Sequence, residues 1–139
     1  METLLRLFPS TLSPDVHVRR ASEQELHQLE SQPGMLAASF QLVASPEVDT
    51  SIRQAAAIYV KNRISRTWDA SLARGFSDAP SAVSDQDKEV VRSGLLPTIE
   101  SLPPTLRVHI ASAMYSIVRC DFPQAWPTLT EEIVKVLSS

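Results

Sequence analysis

The sequence predicts an all-α protein built as a stack of helical repeats, and three observations carry that prediction. First, Ile52, Ala55, Ala56, Tyr59, Val60 and Ile64 recur at the i, i+3, i+4, i+7, i+8 spacing of an amphipathic helix. Arg53, Gln54, Lys61, Asn62 and Ser65 fall on the opposite side. Second, that helix has two echoes. Val18-Arg-Arg-Ala21-Ser22 and Val108-His-Ile-Ala111-Ser112 repeat the opening Ile52-Arg-Gln-Ala55-Ala56, and Tyr115 stands where Tyr59 stands. The offsets are 34 (52 − 18) and 56 (108 − 52) residues. Self-similarity on this scale marks a helical array, and the longer second offset implies an insertion. Third, alternating apolar and polar runs of strand length are absent, and ten prolines fall mostly between the periodic segments.

The elements follow in order. Residues 2–12 read as a short helix with Leu4, Leu5, Phe8 and Leu12 on one side, shortened or kinked by Pro9. Ser13 as N-cap and Pro14 at the first helical position open the next helix, which runs to about residue 31. Its buried side is expected to hold Val18, Ala21, Ser22, Leu26 and Leu29. Gln32-Pro33-Gly34 is a turn. Met35, Leu36, Phe40 and Val43 then give a helix that Ser45-Pro46 ends. Asp49 or Thr50 caps the central helix, which extends to Trp68. Residues 69–82 have no sustained period and read as a surface insertion, partly disordered, within a 68–84 loop of the second repeat. Ser84 caps a helix carrying Val90, Val91, Leu95, Leu96 and Ile99, kinked at Pro97. Asp85, Asp87 and Glu89 read as its solvated start, favourable to the helix dipole. Pro103-Pro104 breaks the chain, and Thr105 opens the third echo helix, which ends near Asp121. Phe122 to Pro127 is a compact turn, and a last helix carries Leu129, Ile133, Val134 and Leu137. Trp68, Phe122 and Trp126 each end a helix beside a turn, so each is expected to pack between repeats. No polar capping element follows the last helix, so the chain is expected to be the N-terminal part of a longer array.

Composition narrows the function. The net charge of −3 argues against nucleic-acid binding, and the surplus acidity lies in residues 69–105. The three glycines, Gly34, Gly75 and Gly94, are too scattered to cradle a phosphate. A single cysteine, Cys120, allows no internal disulfide and fits a reducing compartment. No apolar run has the length to span a bilayer. His109 and Cys120 lie about 16 Å apart along one helix, too far for a nucleophile and its base. His17 and His27 lie about 15 Å apart, with no supporting carboxylate or thiolate pattern for a metal. No catalytic residue, metal ligand or cofactor is therefore expected.

Several stretches, in order along essentially the whole chain, resemble the N-terminal domain of the importin-beta (karyopherin-beta) superfamily. They are Arg20-Ala21 with Leu26, Pro33-Gly34, Ile52 through Asn62, Trp68, and Asp121-Phe-Pro-Gln-Ala-Trp126-Pro127. Arg53-Gln54-Ala55, Ile58 through Asn62 and Arg107-Val108 look most like the branch that imports ribosomal proteins and histones. The resemblance implies about three and a half tandem HEAT repeats, each an outer A helix and an inner B helix stacked into a superhelix. The echo helices would be the first three B helices, and residues 123–138 the fourth A helix. The resemblance also implies binding of the small GTPase Ran in its GTP form along the inner B-helix surface. Carried across, the contacts are Arg20 and Gln24 on the first B helix, and Gln54, Ile58, Lys61, Asn62 and Arg66 on the second. Import cargo and nucleoporins would engage later repeats, and the receptor would shuttle between cytoplasm and nucleus. Ser22 stands where the family often has alanine and is expected to bond back to its own helix. In the same register the third B helix offers Ile110, Met114 and Ile117, which is apolar for a solvated surface. Either the assumed rotation is off by one position or a partner covers that patch. A HEAT-repeat scaffold or adaptor without a GTPase partner is the alternative, and the Asp121–Pro127 motif after the Lys-Asn helix is what separates the two.

Overall fold

The computed structural model describes residues 2–30, 32–68, 83–122, 124 and 126–138; most of the expected 68–84 insertion lies outside them. Among the described residues there are seven helices and no strand: α1 (Glu2–Ser10), α2 (Val16–Leu29), α3 (Met35–Ala44), α4 (Thr50–Thr67), α5 (Asp85–Ser101), α6 (Pro104–Asp121) and α7 (Leu129–Ser138). Consecutive helices pair as α1 with α2, α3 with α4 and α5 with α6. The odd-numbered helices α3, α5 and α7 pack on one another in one layer. In the other layer α4 packs extensively on α6, and α1 also reaches α4. This is a two-layer helical-repeat stack, with the odd helices in the A role and the even helices in the B role.

Local chemistry sets the helix ends. Asp15, rather than Ser13, caps α2, its carboxylate accepting the His17 N–H at 2.9 Å. Ser13 instead accepts from the Asp15 N–H. Asp49 caps α4 and Ser84 caps α5. Pro104 sits in the first turn of α6, where its missing donor is harmless, so that helix begins one residue before Thr105. α5 runs on through Pro97 in helical geometry. α1 stops at Ser10, which leaves Leu12 outside it and exposed. Gly34 precedes α3 at φ +93°, a left-handed conformation in which glycine carries no Cβ penalty. At Gly94 a Cβ would come within 2.9 Å of the Phe40 ring, so glycine permits the close approach of α5 to α3.

One contiguous apolar core runs from Leu7 and Phe8 through Leu36, Val60, Ile64, Val91 and Leu95 to Leu106, Ile110 and Ile117. Trp68 is 1% exposed and Trp126 is buried, as expected, whereas Phe122 is exposed at the end of α6. The stripe on α2 is narrower than its periodicity predicts. Ser22 and Leu26 are buried, but Val18 is 43% exposed and Ala21 is exposed. The reason is that α2 leans mainly on α1, so a second flank has no neighbour. Ser22 does bond back to its own helix, through the Val18 carbonyl at 3.0 Å.

Arg53 and Asp87, both assigned to solvent, are buried through partners elsewhere in the chain, and Arg63, which carried no assignment, is buried too. Arg53 donates from Nε to the Val43 carbonyl at 3.0 Å. Asp87 accepts the Gly34 N–H at 3.1 Å, tying the α2–α3 turn to α5. Arg63, 1% exposed, donates to the Glu30 carbonyl at the end of α2. Arg53 belongs to a series. Arg19, Arg53 and Arg107 are each the fourth residue of a B helix, and each donates to a carbonyl at or just beyond the end of the preceding A helix. Carbonyls near a helix C-terminus are left wholly or partly unsatisfied by the helix itself, and a cation is favourable at that end of the dipole. The repeat offsets read from these arginines are 34 (53 − 19) and 54 (107 − 53). The third echo is thus Leu106-Arg107, two residues before Val108-His109.

A second polar element joins α4, α5 and α6. The Asp121 Oδ2 accepts Trp68 Nε1–H at 3.0 Å and Arg92 Nη1–H at 2.7 Å. We expect Asp121→Ala, which leaves both donors without their acceptor, to lower stability by about 3 kcal/mol. Denaturation by urea would measure this, with Glu131→Ala at an exposed site changing it by less than about 0.5 kcal/mol. Equal small losses would show that the triad is dispensable.

Across the α4–α6 contact, burial first and the Lys61 charge second lower the pKa of His109 from its ordinary value. A base whose folded pKa is depressed stabilises the fold when neutral. That contribution is present above the unfolded value of about 6.5 and is lost as pH falls through the folded value. Replacing Lys61 with Gln should raise the His109 pKa while leaving it below 6.5. NMR titration of the ring protons checks this, and an unmoved midpoint would mean that Lys61 does not act on His109.

Candidate partner-binding face

The arginine register fixes which side chains the B helices present together. Adding 34 and then 54 places Arg20, Gln54 and Val108 at one level. The same sums align Gln24, Ile58 and Ser112, then His27, Lys61 and Tyr115. Of the residues expected to contact a partner, Arg20, Gln24, Gln54, Asn62 and Arg66 are exposed, and Ile58 and Lys61 are half-buried. On α6 the corresponding residues are Val108, 67% exposed, and Tyr115, 65% exposed, with the Arg119 guanidinium 5.6 Å from the Tyr115 ring centroid. Ile110 and Ile117 are fully buried and Met114 packs against the core, so the expected face of the third B helix is corrected. Neither partner cover nor a one-residue rotation accounts for the apolar patch; it was read two residues out of register.

The seven residues do not form a single cluster. Ile58, Asn62 and Arg66 line a groove of about 580 Å³ between α2 and α4. Arg20 and Gln24 line a second concavity of about 500 Å³ on α2, together with Glu23 and His27. Gln54 and Lys61 line neither, and Lys61 lies toward His109 on α6. Arg66 donates from Nε to the Asn62 backbone carbonyl at 3.3 Å, which holds its side chain along one turn of α4.

Sequence reasoning missed Glu30, the polar floor of the groove. It is 4% exposed and accepts the Tyr59 hydroxyl on Oε1 at 2.8 Å. Arg66 Nη2 lies 3.7 Å from the same oxygen, and His27 Nδ1 lies 3.4 Å from Oε2. Burial first, and the neighbouring Glu30 carboxylate, push the Tyr59 phenol well above its ordinary pKa despite the nearby Arg63, so it remains a proton donor. No local pattern announces Glu30, because its hydrogen-bond partner Tyr59 lies on another helix. Val108 and Tyr115 were legible, since pairing Leu106-Arg107 with Ile52-Arg53 and Val18-Arg19 gives their level directly.

Among the described residues no group of three or more His, Cys, Asp or Glu side chains is gathered for a metal. No helix there is long and apolar enough to cross a membrane. What the face offers is a row of amides, cations and apolar side chains suited to recognising a surface.

Comparison with known proteins gives the same picture. The chain is 34% identical over 122 residues to the Importin beta-like SAD2 homolog of Arabidopsis thaliana, a match covering 88% of this chain and 11% of that protein. It is 33% identical to Exportin-2 of Oreochromis niloticus, over 96% of this chain and 13% of that one. Relatives thus include importins and exportins, and the chain spans between 11% and 14% of the length of those matched. The exportin Cse1 in its cargo-free, cytoplasmic state superposes with a TM-score of 0.82 at 29% identity, over 96% of this chain and 14% of that one. Kap95p, in a structure described as inducing the switch loops of RanGDP to adopt the GTP-bound conformation, superposes with a TM-score of 0.74 at 25% identity, over 97% of this chain and 17% of that one. Residues 22–101 match the family described as the Importin-beta N-terminal domain, and with its stacked A and B helices this chain belongs to that family.

Proposed function

We propose that this chain is the N-terminal module of a nuclear transport receptor and that its B-helix face recognises Ran in the GTP form. The observation that carries the reading is the common register of that face. Three helices of a chain in this family present solvent-accessible side chains at matched levels, while the opposite sides of the same helices fill the core. The Kap95p neighbour, whose structure concerns the Ran switch loops, supports the same assignment. Arg20 and Gln24 on α2, and Gln54, Ile58, Lys61, Asn62 and Arg66 on α4, are the contacts we assign. Val108 and Tyr115 extend the row onto α6. The mechanism is differential affinity. The switch regions of a GTPase change shape with nucleotide, so a surface fitted to one state favours it without chemistry of its own. Coupling to cargo and nucleoporins would pass through later repeats, with shuttling between cytoplasm and nucleus as the cellular consequence.

Calorimetric titration of this chain with Ran tests the reading directly. Binding is expected with a non-hydrolysable GTP analogue and should be much weaker with GDP. Lys61→Glu should weaken the complex about tenfold by reversing a charge in the row. If the wild-type chain binds neither form, the GTPase assignment is wrong. If it binds and Lys61→Glu binds equally well, the face is misplaced.

A further inference from the structure

The groove between α2 and α4 has walls and a floor of different chemistry. Leu12, Leu26 and Ile58 are apolar walls, and Glu30 with Tyr59 closes the inner end. At about 580 Å³ it is far larger than a single water, which occupies about 30 Å³ of liquid. The Glu30 carboxylate is incompletely bonded for a group so buried. Oε1 has the Tyr59 hydroxyl, but Oε2 is inaccessible and has no hydrogen bond. A carboxylate accepts several donors, and one without a partner in the interior costs free energy. No nearby basic side chain bonds Oε2, and Arg63 donates only to the Glu30 backbone carbonyl. His27 Nδ1, 3.4 Å from Oε2, makes no hydrogen bond to it, and its side chain is 56% exposed and free to swing aside. Arg66 is half-exposed, stands 3.7 Å from the other oxygen, and has its Nε committed to Asn62.

We propose that this groove receives one long basic side chain, lysine or arginine, from a partner protein. The aliphatic stem would lie on Leu26 and Ile58, and the cationic head would displace His27 and donate to Glu30 Oε2. Lysine and arginine are the side chains that bury an apolar stem while placing a charge at its end, which matches apolar walls over an acidic floor. An anion seated at the inner end would lie against the Glu30 carboxylate, and a purely apolar side chain would leave Oε2 unbonded. That the GTPase supplies the basic residue rests on the function proposed above; the chemistry of the groove does not.

The test uses N-acetyl-arginine methylamide and its neutral isostere, the citrulline derivative, as probes in NMR titrations of this chain. The arginine probe should shift the Leu26 and Ile58 methyl and Tyr59 ring signals saturably, with the citrulline probe about tenfold weaker. Glu30→Gln keeps an acceptor for Tyr59 and should weaken the arginine probe by a similar factor of about ten. Ser65→Trp, at an exposed position lining the groove, should block the probe without touching Glu30. Equal binding of both probes overturns the proposal, as does unaltered arginine binding in the Glu30→Gln and Ser65→Trp chains. Titration with GTP-loaded Ran then identifies the source. An affinity reduced about tenfold by Glu30→Gln supports the GTPase as donor. An affinity unchanged by it overturns the GTPase as donor, and a wild-type chain that does not bind Ran removes the transport reading while the probe result stands.

Discussion

Asp121 holds two donors on a single carboxylate oxygen, and much of the stack converges on it. Trp68 ends the second B helix and Arg92 lies in the middle of the third A helix; both donate to Oδ2 of a residue that ends the third B helix. The Trp68 ring, almost wholly buried, also has Lys88 Nζ at 5.3 Å and the Arg92 guanidinium at 6.0 Å from its centroid. A cation beside an indole face and a carboxylate on its N–H reinforce one another where water is excluded. The same residue leads onward: its carbonyl accepts the Trp126 N–H, and Trp126 Nε1 donates to Glu132 on α7. Asp121 and Trp126 thus join the third repeat to α7.

A second constraint repeats with each unit. The arginine in the first turn of every B helix closes the end of the preceding A helix, so the pair is fixed by a polar contact as well as by apolar packing. This device also sets the rotation of the B helix. Once Arg19, Arg53 and Arg107 point back at their carbonyls, the residues one, five and eight positions later all lie at matched levels. Those positions are the row from Arg20 to Tyr115. The contact that builds the repeat and the surface proposed to meet a partner are therefore two consequences of one register.

This explains what was legible in the sequence and what was not. Helix existence followed from apolar periodicity and from proline punctuation, and every expected helix among the described residues is present. Errors concentrated where a residue's environment is set by a distant partner. Arg53 and Asp87 look solvated in a local pattern, yet they are buried because a carbonyl and an N–H elsewhere in the chain satisfy them at least in part. Val18 and Ala21 look buried, yet α2 has no neighbour on that flank. The third repeat was misaligned because Val108-His-Ile-Ala111-Ser112 resembles the central helix more closely in small and β-branched residues than Leu106-Arg107 does. Residue likeness and structural equivalence parted there, and the arginine contact decides between them.

The two seams of the B layer differ in a way that bears on recognition. Between α4 and α6 the contact is apolar and tight, with Val60, Ile64, Ile110 and Ala113 almost wholly buried. At the seam between α2 and α4, Glu30, Tyr59, Arg63 and Arg66 meet, and Glu30 Oε2 and two nitrogens of Arg63 are buried without hydrogen bonds. An apolar seam resists separation because any opening exposes surface to water. A polar seam with unmade hydrogen bonds loses less on opening and gains when a further donor or acceptor arrives. Adjustment on binding should therefore fall at the α2–α4 seam, with the first repeat moving against a second and third that stay joined through α4, α6 and Asp121.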